Sequence, residues 1–203
     1  MTTLPLATPI LARKPSATVE DVVRAIAGQP SGEYRLIDVM TIVQGYYAVC
    51  RRVEVDPVLV IAQLVHETGN LTSWWSQRPR RNPAGIGVTG EAKGGDPRQA
   101  PGEDWAWSPA DLLWKRGISF PSWEDHAIYA HVGRLLAYVL APGTGTPAQQ
   151  GLIAEALAYR PLSASRRGVA RTLPDLNGKW AVPGTTYGQT LLKVAARLVA
   201  GGG

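Results

Sequence analysis

Asp56-Pro-Val-Leu-Val-Ile-Ala-Gln-Leu-Val-His-Glu-Thr-Gly69 is the stretch that decides the fold of this chain. The side chain of Asp56 can cap a helix, and Pro57 suits the first helical position, where no backbone N–H is needed. The residues that follow are apolar on almost every side, which is typical of a helix that is buried all round. Gly69 is a common helix terminator. The sequence therefore predicts a buried central helix against which the other elements pack.

Six further helices are predicted from capping residues and from apolar residues at three- and four-residue steps. They cover 18–28, 35–52, 122–140, 149–159, 165–172 and 186–199. Residues 70–121 are instead rich in Gly, Pro, Arg and Trp and lack helical periodicity. The predicted fold class is therefore mainly α, of the α+β kind: a helical bundle around a buried central helix, with a small β-hairpin or irregular lobe.

The composition is that of a globular protein. Of the 203 residues 45% are hydrophobic, and no apolar stretch reaches the roughly 18 residues that a membrane span needs. The single cysteine, Cys50, excludes an internal disulfide and lies on an apolar helical stripe, so we expect it to be buried. The net charge of +5 favours an anionic partner, although basic surfaces also serve solubility alone. We expect a monomer with a flexible N-terminal arm over 1–17 and one domain over 18–203.

Glu67 is the most informative residue, because it places a carboxyl group in the last turn of the apolar helix. The partial negative charge of a helix C-terminus disfavours a carboxylate there, and burial among aliphatic side chains disfavours it further. Both effects predict a raised pKa, and a carboxylic acid that stays protonated near neutral pH can act as a general acid. The alternative is a glutamate at the helix edge that faces water or pairs with Arg51, Arg52 or Arg78.

Four motifs occur in order over about 56–199. The first places Ala62, Gln63, Glu67, Thr68, Gly69 and Ser73 in an apolar helix that ends in Glu-Thr-Gly and a polar loop; the second is Asn82-Pro-Ala-Gly85-Ile86; the third is Phe120, Ser122, Trp123 and Glu124; the fourth is Trp180-Ala181 with Tyr187-Gly188. This arrangement resembles the catalytic domain of peptidoglycan glucosaminidases, glycoside hydrolase family 73. Trp180 departs from the family, which usually has tyrosine at that place.

The resemblance implies a lysozyme-like fold and cleavage of the glycan β-1,4 linkage of peptidoglycan, of the endo-β-N-acetylglucosaminidase type, with Glu67 as general acid. It also implies that a hairpin acid can be the second catalytic group, for which Glu91 is our candidate, with Glu103, Asp104 or no partner as alternatives. Tyr187 matches a family tyrosine near the scissile bond and would position groups or stabilise charge. The other interpretation of Tyr187 is a ring that packs on the core.

Substrate-binding residues follow from the same motifs and from the tryptophans. The resemblance assigns Gln63, Asn82, Gly85 and Trp180 to the glycan site. Flat indole rings suit the apolar faces of sugars, so we expect one of Trp74 and Trp75 in the substrate groove and the other in packing. The run of Arg78, Arg80 and Arg81 is either an attractor of anionic wall polymers or a solvated loop.

No cofactor and no metal ion is expected. His66-Glu67 begins like a zinc-protease motif, but position 70 is Asn rather than His, and His126 and His131 are five residues apart, off one helical face. The expected partners are peptidoglycan glycan strands and, as a further option, anionic wall polymers, with neither nucleic acid nor membrane. Since the N-terminus does not have the pattern of a secretory signal, we expect synthesis in the cytoplasm without a signal peptide and action on the cell wall after release.

Other functions compatible with these residues are a lytic transglycosylase or muramidase that uses the same site. A transglycosylase can work with one acid/base group, which suits a missing second carboxylate. A different class of function is a non-catalytic wall-binding or virion structural module. The intact Glu67 motif argues against that class, since a binding module has no need of an acid in this position.

Overall fold

A computed structural model describes residues 4–180 and 183–202 of the chain. The α-helices are α1 (Val19–Ala27), α2 (Leu36–Arg52), α3 (Pro57–Thr68), α4 (Ile128–Val139), α5 (Pro147–Tyr159) and α6 (Tyr187–Val199). The strands are β1 (Ala92–Lys93), β2 (Trp105–Ser108) and β3 (Leu113–Arg116). The predicted mainly helical α+β class is confirmed. None of the helices in these ranges is long and apolar enough to cross a membrane.

Helix α3 is the central helix that the sequence predicts. The Asp56 side chain caps the helix by accepting a hydrogen bond from Val58 N, and Pro57 is the first helical residue. Gly69 ends the helix in the left-handed conformation, with φ of 56°. Every residue from Pro57 to Val65 is buried, and α3 packs against α2, α4 and α6. Full burial of one large aliphatic side chain stabilises a fold by about 1.5–3 kcal/mol, so this helix is a main source of stability.

The other helices differ from the prediction in three places. The helix after Ser122 starts with a π-helical turn, Trp123–Ala127, before α4 begins. Helix α5 starts two residues earlier than predicted, because Thr146 caps it and Pro147 occupies its first position. The predicted helix over 165–172 is wrong. The chain there forms separate 3-10 turns, Ala164–Arg166 and Leu173–Leu176, which flank a turn at Arg167 and Gly168 and a short irregular segment.

The irregular lobe contains a three-stranded antiparallel sheet of order β1-β3-β2. Strands β2 and β3 form the expected hairpin, in which Trp107 lies opposite Trp114 with ring centroids 5.5 Å apart. The hairpin prediction is therefore confirmed. The short edge strand β1 was not predicted, because two residues are too few to show an alternating pattern.

The N-terminal segment packs on the helical lobe. The Ile10 side chain has no exposed surface, its N–H donates to Arg171 O over 2.9 Å, and its carbonyl accepts from Asp56 N over 2.9 Å. These contacts attach the described part of the predicted arm, 4–17, to the domain, and its flexibility stays a prediction. Isolated backbone pairs of this kind leave no periodic signal, so sequence patterns miss them.

Candidate active site

Glu67 lies half-buried on the wall of a cleft of about 460 Å³. The cleft is lined by Glu67, Ala84, Gly85, Ile86, Gly87, Val88, Arg134, Tyr138, Arg160, Arg166 and Trp180. It is therefore bounded by the end of α3, the loop 84–88, helix α4 and the segment that follows α5. None of the ion pairs in 4–180 and 183–202 involves Glu67, and Arg78, one of its predicted partners, pairs with Glu33 and Asp38.

The chain leaves α3 through a tightly bonded turn that fixes the place of Glu67. Gly69, Asn70 and Leu71 all have positive φ, at 56°, 61° and 68°. Asn70 Nδ2 donates to the carbonyl oxygens of Ile26 and Pro30, and the Leu71 side chain is fully buried. Left-handed backbone at a residue other than glycine costs free energy and persists only where its surroundings hold it.

A chain of four hydrogen bonds leads from the core to the Glu67 carboxyl group. The Tyr187 hydroxyl donates to Glu67 Oε1 over 2.5 Å, and Gln63 Nε2 donates to the Tyr187 oxygen over 2.8 Å. Behind Gln63, His131 Nε2 lies 3.0 Å from its Oε1. The Tyr46 hydroxyl lies 2.8 Å from His131 Nδ1 and closes the chain at its buried end.

The chemistry of these groups gives every hydrogen bond the same direction, towards Glu67. An amide oxygen only accepts, so His131 Nε2 carries a proton and donates it, while Nδ1 accepts from Tyr46. Burial lowers the pKa of His131 to about 3, so the ring is neutral near pH 7. Burial, and after it the charge of Glu67, raises the pKa of Tyr187, which keeps its hydroxyl protonated. The Tyr187 hydroxyl therefore has one proton, and it uses that proton to donate a hydrogen bond to Glu67.

The environment of Glu67 favours the protonated form of its carboxyl group. Burial raises the pKa of Glu67 above its ordinary value, and the hydrogen bond from Tyr187, the charge of His66 and the indole N–H of Trp180 oppose this without reversing it. Because Oε1 accepts from Tyr187, the acidic proton belongs on Oε2. This arrangement can deliver a proton to a molecule in the cleft and then stabilise the carboxylate that remains.

The hairpin acids lie apart from this cleft. Arg116 donates to Glu91 Oε2 over 2.8 Å and to Asp104 Oδ2 over 2.7 Å, so it holds both acids on the sheet. Glu103 is exposed, and none of the three acids lines the cleft. Among the described residues Glu67 is the one carboxylate on the cleft wall. The role of Glu91 as second catalytic group stays a prediction, and its contacts are those of an ion pair.

Two residues assigned to substrate binding have structural roles instead. The Gln63 and Asn82 side chains have no exposed surface, so neither can contact a molecule in the cleft. Gln63 orients Tyr187. Asn82 donates to two backbone carbonyls and accepts from the backbone N–H groups of Ala84 and Ile86. These bonds shape the loop on the cleft wall. The substrate-binding assignment of both residues is corrected on these contacts.

Of the other predicted substrate-binding residues, Gly85 and Trp180 do line the cleft. The Trp180 ring is half-buried, with its centroid 5.3 Å from that of Tyr138, and Ala181, the next residue of its motif, lies outside the described residues. Trp74 and Trp75 do not line it. They meet edge to face at 4.8 Å and connect the loop after α3 to the sheet.

Several residues of the site were missed in the sequence. His131 and Tyr46 complete the hydrogen-bond chain, and Arg134, Arg160 and Arg166 line the cleft. A histidine among the apolar positions of a long helix was a usable signal for His131, since a buried polar group needs partners. The sequence holds no signal that distinguishes these arginines from the others. Within the described ranges no three His, Cys, Asp or Glu side chains group as ligands for a metal ion.

No family model and no curated protein matches this sequence. Among solved structures, the chain is similar to the catalytic domain of the autolysin Auto from Listeria monocytogenes, with 17% identity and a TM-score of 0.44. The similarity covers 79% of this chain and 83% of that chain. A likeness at this level carries no argument about function, so the proposal below depends on the site and on the sequence motifs.

Proposed function

We propose that this chain is a peptidoglycan hydrolase that cleaves the β-1,4 linkages of glycan strands, in the manner of an endo-β-N-acetylglucosaminidase, with Glu67 as general acid. The observation that carries the proposal is a half-buried carboxyl group with a raised pKa on a cleft wall, held through one oxygen by Tyr187. The four sequence motifs support a glycan as the substrate. The enzyme would meet the wall after release from the cytoplasm.

The proposed reaction begins with transfer of the proton on Glu67 Oε2 to the glycosidic oxygen. The bond to the anomeric carbon then breaks through a transition state with oxocarbenium character, and the leaving glycan keeps the transferred proton in its new hydroxyl group. Water adds to the anomeric carbon and releases one proton to solvent. The Glu67 carboxylate left behind keeps the hydrogen bond from Tyr187 and the contribution of Trp180, both of which favour its charged form. Burial therefore favours the protonated carboxyl group, and the hydrogen bonds stabilise the carboxylate once the proton has left.

A lytic transglycosylase is the second candidate, and the absence of another carboxylate from the described cleft wall favours it. In that reaction a hydroxyl of the substrate itself attacks the anomeric carbon, so no second protein carboxylate is needed to activate water. The products distinguish the two reactions. A reducing N-acetylglucosamine end supports the glucosaminidase, and an anhydro-sugar end supports the transglycosylase.

The proposal is tested with Glu67→Gln in a turbidity assay on purified cell walls. Loss of a general acid lowers rates by about 10²–10⁴-fold, and we expect lysis to fall by that amount. The matched control is Glu155→Gln, the same change at an exposed position on α5, which we expect to leave lysis unchanged. Lysis by Glu67→Gln at the wild-type rate rejects catalysis at this residue. Wall binding without lysis by the wild type would instead favour the wall-binding class of function.

Unfolding measurements show whether Glu67→Gln is folded, and their pH dependence has a definite sign. Glu67 binds its proton more tightly in the folded chain than in the unfolded one, so the carboxylate destabilises the fold above the raised pKa and has no such effect below the ordinary value of 4.5. We expect Glu67→Gln to melt at or above the wild-type temperature at pH 7, and the difference to vanish near pH 4.

A further inference from the structure

Three arginines share the cleft with Glu67. Arg134 comes from α4, Arg160 follows the last residue of α5, and Arg166 ends the first 3-10 turn. All three line the cleft, which has Glu67 as its one described carboxylate. The wall of this cleft therefore carries an excess of positive charge.

The Arg134 and Arg166 side chains are oriented by contacts with backbone carbonyls and not by acids. Arg134 Nη1 donates to Arg160 O over 2.9 Å, and Arg166 Nη1 donates to Lys179 O over 2.9 Å. The Arg134 guanidinium also lies 5.8 Å from the centre of the Trp180 ring. A guanidinium has five N–H donors, so one bond to a carbonyl leaves most of them for another acceptor.

None of the ion pairs among the described residues includes Arg134, Arg160 or Arg166, although arginines elsewhere on the surface do pair with acids. The pKa of Arg134 is lowered, by burial first and also by repulsion from Arg160 and Arg166. Like charges gathered in a partly desolvated cleft destabilise the fold unless an anion lies between them. The arrangement is therefore that of a site whose counter-ion arrives from outside the chain.

The basic run that the sequence singled out has a different use. Arg78 pairs with Asp38 over 2.7 Å, and the buried Arg80 lies over the Trp74 ring at 3.8 Å. Arg81 donates to backbone carbonyls. Because Arg78 is paired with an acid and Arg80 is buried over an aromatic ring, the cleft arginines are the better place for an anion.

We propose that Arg134, Arg160 and Arg166 form a subsite for an anionic group of the substrate, a carboxylate or a phosphate, which positions the glycan strand against Glu67. This inference rests on the proposed function. Guanidinium groups match both kinds of oxyanion through paired N–H donors. In a cell wall a carboxylate comes from the peptides attached to the glycan and a phosphate from phosphodiester polymers linked to it.

The test compares an Arg160→Gln, Arg166→Gln double variant with the wild type on purified walls that carry phosphodiester polymers. Both side chains are exposed, so the double variant keeps the core intact. A charge-assisted hydrogen bond lost at a binding site corresponds to a reduction of about 10–100-fold, and we expect kcat/KM to fall by that factor. The matched control is Arg13→Gln with Arg98→Gln, which removes the same charge from side chains that are 85% and 86% exposed.

Two treatments of the walls identify the anion. In one arm the wall carboxylates are amidated with carbodiimide and methylamine, and in the other the phosphodiester polymers are removed with hydrofluoric acid. We expect one treatment to reduce the kcat/KM of the wild type to that of the double variant. The treatment that does so identifies the anionic group that the subsite binds. The subsite is rejected if the kcat/KM of the double variant equals that of the control pair. It is also rejected if neither treatment reduces the difference in kcat/KM between the double variant and the wild type.

This result is separable from the proposed function. Glu67→Gln is measured on the same walls. If Glu67→Gln loses lysis while the arginine double variant keeps the wild-type kcat/KM, the subsite alone is rejected. Lysis by Glu67→Gln at the wild-type rate rejects the proposed function itself, whatever the arginine variants do.

Discussion

The Glu67 carboxyl group receives two opposing influences, and the balance between them sets its chemistry. Burial favours the neutral acid, while the Tyr187 hydroxyl donates a hydrogen bond that favours the carboxylate. Tyr187 cannot turn its proton elsewhere, because Gln63 Nε2 already donates to its oxygen. The tyrosine is thus a fixed donor, and its removal is the most direct way to shift the balance.

Tyr187→Phe removes this donor and keeps the ring. Glu67 then loses a bond that stabilises its charged form, so its pKa rises further, and Gln63 loses a buried acceptor. We expect kcat to fall by about 10–100-fold and the alkaline limb of the pH–rate profile to move to higher pH. We also expect the free energy of unfolding to fall by about 1–3 kcal/mol, as measured by urea denaturation.

Tyr34→Phe is the control for this prediction. The Tyr34 hydroxyl donates to Ser76 O over 2.7 Å and accepts from Trp123 Nε1 over 3.0 Å, so the variant also loses two buried hydrogen bonds. We expect a comparable loss of stability with an unchanged pH–rate profile. An alkaline limb that stays in place in Tyr187→Phe contradicts the role assigned to this hydroxyl.

At the scale of elements, Tyr187 owes its position to the close approach of α6 to the 3-10 turn Leu173–Leu176. A Cβ atom on Gly188 would lie 2.2 Å from Leu173 O, which is a backbone atom that cannot move aside alone. Gly188 N also donates to Asn177 Oδ1 over 2.7 Å. The glycine after Tyr187 is therefore needed for the start of α6 to reach the turn.

Gly188→Ala separates α6 from the turn and displaces Tyr187 from Glu67. Overpacking of this kind costs about 1–3 kcal/mol of stability, and we expect lysis to fall at least 10-fold along with it. The control is Gly151→Ala in α5, where a Cβ meets no atom within 4 Å. That variant is expected to gain about 0.5–1 kcal/mol in urea unfolding and to retain full lysis. Wild-type lysis by Gly188→Ala contradicts the role of this contact.

Elements were predictable from sequence where local signals agree, and not where distant packing decides. Asp56, Pro57 and Gly69 mark the ends of α3 through capping chemistry that acts within a few residues. A helix was predicted over 165–172, yet Gly168 has a positive φ of 68° and the Ala170 N–H donates to Tyr138 O, a contact with α4 that a continuous helix would not make. Such a contact depends on tertiary packing, which local patterns do not contain.

At the scale of the whole molecule, the same division applies to the candidate site. Glu67 was predictable because a carboxyl group at the end of an apolar helix conflicts with its surroundings. Tyr187 lies 120 residues further along the chain and was found through a motif alone. The cleft arginines come together only when the segment after α5 folds against α4, so no pattern near any one of them indicates the cluster.

The buried histidine of the hydrogen-bond chain links the stability of the whole fold to pH. The pKa of His131 is lowered to about 3 by burial, whereas an unfolded histidine titrates near 6.5. Between these values the unfolded chain binds a proton that the folded chain does not, so stability is complete above pH 6.5 and is lost as the pH falls. The loss from one such group is about 1.4 kcal/mol per pH unit.

His131→Gln removes this titration and keeps a polar side chain beside Gln63 and Tyr46. We expect the variant to be less stable than the wild type at pH 7, with a smaller fall in the free energy of unfolding between pH 6 and pH 4, by about 1.4 kcal/mol per unit. Urea denaturation at each pH measures both slopes. His126→Gln is the matched control, since its half-exposed ring bonds to Ser122 outside the chain that leads to Glu67. Carboxylates contribute equally to the acid sensitivity of all three proteins. If the free energy of unfolding falls with equal slopes against pH in the wild type and in His131→Gln, His131 takes up its proton inside the fold. The hydrogen bonds assigned to its neutral ring would then be wrong.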